Sequence, residues 1–150
     1  MRDIRRPDKA EPLVELLTSA RRGEDGQATF DTIMDLLIFA AGIGFSFEAR
    51  EAVPSASKGI PYLIFERNQK DGYIYVLALA ATDNPEVLTA EKADFAVEIF
   101  EEYAAGGLDL IQRWLNENPT DVTGVQTLMS HLVGKLKSAE SLVETRPNPI

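Results

Sequence analysis

The stretch Ile33–Phe47 constrains this chain more than any other. Its apolar residues cover nearly every side of a 3.6-residue repeat, broken by Asp35, Gly42 and Gly44. A helix that is apolar all round has no face to offer water, so it has to lie at the centre of a protein core. A membrane is the other apolar solvent, but a spanning helix needs about 20 apolar residues, and no run here reaches that length. The sequence therefore predicts a central helix, with Phe30, Ile33, Met34, Leu37, Ile38 and Ala41 lining its main face. Thr29 or Asp31 would cap its start, and Gly42 and Gly44 would mark its end.

Other helices follow from periodicity. Pro12–Arg22 places Leu13, Leu16, Leu17 and Ala20 on one face, before Gly23-Glu24-Asp25-Gly26 breaks the pattern. The alanines of Tyr73–Thr82 favour helix, although Tyr73-Ile74-Tyr75-Val76 would also suit a strand, and Asn84-Pro85 opens a short turn or helical piece. Phe95, Ile99 and Tyr103 form the stripe of a further helix, which Gly106-Gly107 is expected to stop. A separate helix would then carry Leu108, Ile111, Trp114 and Leu115, and Val122–Leu136 gives the last one. A small β-hairpin is expected between them. Its strands would be Phe45–Arg50 and Ile60–Phe65, with Pro54–Gly59 as the loop and Pro61 at a strand start or edge. The predicted fold is mainly α: about six helices around one core, with that hairpin as an insert. No repeat at a fixed period argues for a solenoid.

A chain of 150 residues suits one domain over 1–150, with a basic arm at 1–9 and a disordered tail at 144–150. Cysteine is absent, which excludes disulfides, thiol catalysis and cysteine-ligated zinc or iron–sulfur centres. With no apolar segment behind its first arginines, the chain reads as cytoplasmic, without a membrane partner. The net charge of −9 is uneven, because Arg2, Arg5, Arg6, Lys9, Arg21 and Arg22 leave the first 22 residues positive. An acidic body repels phosphates, so nucleic-acid contact would fall to the arm formed by Arg2, Arg5, Arg6 and Lys9. The same arm could instead pair with acidic groups on a partner or on its own body.

Chemistry-bearing patterns each have a plainer reading. Ser55-Ala56-Ser57-Lys58 matches Ser-x-x-Lys, but a catalytic serine there needs a helix start and companion motifs that are absent. Gly42-Ile43-Gly44 and Gly106-Gly107 lack the strand and spacing of a phosphate-binding loop and read as helix ends. Glu91, Asp94, Glu98, Glu101 and Glu102 have carboxylate-bundle spacings without Glu-x-x-His partners, which suits a solvated face. His131 lies on the side of Thr127, Lys135 and Ser138, away from Leu128 and Leu132, and is expected to face solvent. Trp114 shares a face with Ile111 and reads as core. No catalytic group, metal site or cofactor is expected.

Several blocks in order resemble one known family. They are Arg2–Pro7, Asp35–Ala41 with Gly44-Phe45, Arg50-Glu51, Gly59-Ile60-Pro61, Phe65-Glu66 and Ile99–Leu108. Together they look like the DNA phosphorothioation (Dnd) system-associated protein 4 family. The resemblance implies a small bacterial accessory protein, tied to the system that places sulfur in the DNA backbone and to linked restriction and antiviral defence. It supplies no catalytic motif. Sulfur insertion uses cysteine desulfurase and iron–sulfur components, and a chain without cysteine can be neither. The expected function is therefore a non-enzymatic adaptor whose partners are protein components of a modification or restriction system. Contacts would come from the hairpin or from the junction at Tyr103, Gly106, Gly107 and Leu108. The alternative is a DNA-binding accessory factor that uses the arm.

Overall fold

The computed structural model describes residues 2–19 and 28–144. Among the described residues the fold is mainly α, with six α-helices and one small antiparallel sheet. The helices are α1 (Glu11–Thr18), α2 (Ile33–Ser46), α3 (Tyr62–Arg67), α4 (Gly72–Thr82), α5 (Ala93–Glu117) and α6 (Val125–Glu144). The strands are β1 (Ile4–Arg5) and β2 (Gly59–Ile60).

Helix α2 is central, as its apolar surface requires. Leu36, Leu37, Ala40, Ala41 and Ile43 are buried, mainly against α5, and α4 and α1 pack on other sides. Its cap is Thr32, whose hydroxyl accepts the Asp35 N–H at 3.0 Å, rather than Thr29 or Asp31. Gly42 and Gly44 lie inside the last turns and not beyond them. Helix α1 buries Leu13, Val14 and Leu17 but leaves Leu16 exposed, so its buried face is turned relative to the predicted one. Ala20 and the break at 23–26 lie outside the described residues, as does the expected tail from 145 onward.

Gly106-Gly107 does not stop a helix. Helix α5 runs unbroken for 25 residues through both glycines and includes Leu108, Ile111 and Trp114. The cause is close packing. A Cβ on Gly107 would overlap the Ala40 carbonyl of α2, one on Gly44 the Tyr103 carbonyl of α5, and one on Gly106 the Ala49 backbone. Two helices can approach backbone to backbone only where side chains are missing. That packing outweighs the roughly 1 kcal/mol that each glycine costs a helix interior.

The small sheet is present, but its strands differ from the predicted pair. Ile4 pairs with Ile60 and Arg5 with Gly59, joining the start of the chain to its middle. Phe45 and Ser46 belong to α2, and Tyr62–Phe65 to α3. Pro61 caps α3 with φ fixed near −62°, so the residues after it enter a helix instead of extending a strand. Tyr73–Ala81 is helical, as the alanines indicate. No helix among the described residues is long and apolar enough to cross a membrane.

Candidate functional site

Two surfaces collect most of the residues that the sequence singles out, and a third emerges only in the fold. The first is the seam between the N-terminal segment and α5. Arg2 makes a forked pair with Glu101, at 2.8 Å from Nη1 to Oε2 and 2.7 Å from Nη2 to Oε1. Glu101 also accepts the Arg5 backbone N–H at 2.5 Å and, more distantly, the Arg5 Nε at 3.4 Å. Arg6 is buried and donates to Glu11 at 3.0 and 3.2 Å, while Lys9 pairs with Glu51. All four cations are thus bonded to the chain's own carboxylates. The Arg2 guanidinium is held above its ordinary value, chiefly by its hydrogen bonds to Glu101, and Glu11 below its ordinary value by those from Arg6. A cation already paired with a carboxylate displaces few counterions from DNA, which limits what this segment can contribute to phosphate binding.

Glu101 is the residue that sequence reading missed. It is 2% exposed, not part of a solvated face. The signal was available: Val97, Glu101, Ala104 and Leu108 follow one another at helical spacing, so an acid interrupts a buried stripe. Neighbouring Glu102 pairs with Arg50 at 2.7 Å, while Asp94 and Glu98 are exposed. Among the described residues no group of three or more His, Asp or Glu side chains is arranged to hold a metal ion.

The second surface is the junction of Tyr103, Gly106, Gly107 and Leu108. The last three are buried at the α2–α5 crossing, and Tyr103 is half-buried against Phe45 and beneath the Arg50 guanidinium. A partner at this junction would meet Tyr103, because the glycines serve the crossing. Ser55–Lys58 forms a turn: the Ser55 carbonyl accepts from Arg5 at 2.8 Å, and Lys58 lies 3.6 Å from Glu11. No helix starts at Ser55.

The third surface is an apolar groove of about 200 Å³ between α2 and α4, with no counterpart in the sequence reading. Ile38, Ala41 and Phe45 form one wall, Tyr73, Val76 and Leu77 the other, and Phe100 of α5 lies below. Tyr73 and Val76 are 56% and 67% exposed, a large fraction for such side chains on a central helix pair. Helix α4 is apolar on every side, so burying Ile74 and Ala78 leaves an equally apolar side facing outward.

His131 does not simply face solvent. Its ring stacks on Trp114, with centroids 3.9 Å apart and planes 8° from parallel, which fastens α6 to α5. Trp114 is buried, as its position beside Ile111 suggests.

No curated protein and no solved structure matches the chain. A family model does, over residues 3–145, and it carries the description DNA sulphur modification system-associated protein 4. That span takes in the N-terminal segment from Asp3 on, the glycine-lined helix crossing and the apolar groove: the chain belongs to the DNA sulphur modification system-associated protein 4 family.

Proposed function

We propose that this protein is a non-enzymatic adaptor that holds a protein component of the DNA sulphur modification system, and through it serves restriction of foreign DNA. The single observation behind the reading is the α2–α4 groove, an exposed apolar surface in a family associated with that system. The groove has room for a large apolar side chain from a partner, the kind of anchor that dominates protein interfaces. Its lining is almost wholly apolar, with the Tyr73 hydroxyl as the one polar side-chain group and no second group to partner it, so it suits holding rather than reacting. The DNA-binding alternative is less favoured, since Arg2, Arg5, Arg6 and Lys9 are each engaged with a carboxylate of the chain.

The test is recovery of system components on tagged protein from its native host, with nuclease present and across a salt series. Wild-type protein is expected to retain a modification or restriction protein. Val76→Glu should cut that recovery roughly tenfold or more, in line with losing an interface anchor worth about 2 kcal/mol. Its circular dichroism and melting temperature should stay near wild type, because Val76 already faces water. Recovery untouched by Val76→Glu, or recovery abolished by nuclease, would overturn the reading.

A further inference from the structure

We propose that the protein self-associates through α6, as a parallel two-stranded coiled coil between two copies of the chain. The proposal stands independently of the α2–α4 groove.

Helix α6 has two apolar faces. One, with Leu128 and His131, packs on the body. The other carries Val125, Met129, Val133 and Leu136, and all four are exposed, Met129 by 54% and Leu136 by 62%. From Val133 to Glu140 every residue is exposed, with Lys135 reaching back to place its ammonium over the Phe47 ring. An isolated helical segment this short is marginal in water, and the apolar stripe gives it a reason to be covered.

The spacing favours a second copy as the occupant. Val125, Met129, Leu132, Leu136 and Ala139 follow one another at alternating steps of four and three, the 3.5-residue repeat of a coiled-coil seam, with Leu132 half-buried where the seam borders the chain's own core. With Met129 and Leu136 at a and Val125, Leu132 and Ala139 at d, Lys135 falls at g and Glu140 at the next e. In a parallel pair each g position faces that e position of the other strand, so Lys135 of one copy meets Glu140 of the other, twice by symmetry. Self-complementary charge also removes an obstacle. Two bodies of net charge −9 repel, but Val125–Glu140 carries Lys135, Lys137 and Glu140, a local excess of one positive charge.

The test is the mass of the full-length protein in solution by light scattering or sedimentation over a concentration series. Wild type should form dimers that dissociate on dilution. Leu136→Glu should raise the dissociation constant roughly tenfold or more with its circular dichroism unchanged, since Leu136 is already exposed in the single chain. Lys135→Glu should weaken the dimer, and Lys135→Glu with Glu140→Lys should restore it. A loss due only to the Lys135–Phe47 contact would not be rescued in that way. Because the chain has no cysteine, Met129→Cys reports orientation directly: parallel strands form an intermolecular disulfide at this seam position on mild oxidation, and Ser130→Cys does not. A monomer at every concentration, or a dimer indifferent to Leu136→Glu and to the charge swap, would overturn the proposal. A monomer whose Leu136→Glu variant loses a protein partner would overturn it too, and would assign the stripe to that partner.

Discussion

At the scale of single residues, glycines in two neighbouring helices carry opposite requirements. Gly107 sits where α5 crosses α2, and a methyl group there would overlap the Ala40 carbonyl, which belongs to backbone and cannot rotate aside. Gly107→Ala is therefore expected to lower unfolding stability by about 3 kcal/mol, the upper range for overpacking a core. Gly42 lies in the same turns of α2 as Gly44, but a Cβ there meets nothing within 4 Å. Gly42→Ala should instead be neutral or stabilising by about 0.5–1 kcal/mol, because alanine costs a helix less backbone entropy. Chemical denaturation of the two variants checks both signs. Both follow an alanine pair, in Ala40-Ala41-Gly42 and Ala104-Ala105-Gly106-Gly107, and what separates them is which side of the helix meets a second backbone.

At the scale of elements, the N-terminal strand is fixed by hydrogen bonds and ion pairs more than by its own length. β1 has two residues, yet Ile4 is fully buried, Arg5 docks on Glu101, and the Arg6 N–H extends the ladder to the Lys58 carbonyl at 2.9 Å. The Arg6–Glu11 pair ties this strand to α1 and makes its stability depend on pH. Glu11 is held below its ordinary 4.5 by hydrogen bonds from Arg6. The unfolded chain thus takes up the proton first, and the pair's contribution is full above about 4.5 and lost as pH falls through the folded value. Glu11→Gln should accordingly be less stable than wild type at neutral pH, and the difference should shrink as the solution is acidified below 4.5. Urea unfolding at a series of pH values measures it, and a difference that persists in acid would contradict this assignment. Helix α2 was legible because a segment apolar on nearly every side has to be central, whereas α5 was legible as helix on both sides of Gly106-Gly107 but not as one continuous element. The hairpin was misplaced because aromatic and β-branched residues at Tyr62–Phe65 suit strands locally, while Pro61 and the neighbouring core select a helix.

At the scale of the whole molecule, the uneven charge is resolved internally. The positive start of the chain lies on carboxylates of α1, α5 and the loop at Glu51, so the first residues act as a brace across the fold. Removing residues 1–9 should destabilise the protein by about 3 kcal/mol or more, since it leaves the buried Glu101 carboxylate without its cationic partners. Thermal and denaturant unfolding of the truncated chain tests this; a loss below about 1 kcal/mol would fit a loose arm instead. Hydrogen exchange at Arg5 and Arg6 in the intact protein should likewise be slow, as both amides are bonded.

The sequence by itself determined that the chain is mainly helical, that Ile33–Ser46 is central, that thiol chemistry is excluded, and which family it belongs to. These properties are written in local periodicity, residue counts and ordered blocks, none of which needs a neighbour to be read. The tertiary structure alone decided that Gly106-Gly107 continues a helix, that β1 finds β2 across more than fifty residues, that Glu101 is a buried acceptor, and that α4 and α6 keep apolar faces uncovered. Each depends on which atoms meet across long sequence separations, and a pattern along one chain carries no record of those distances.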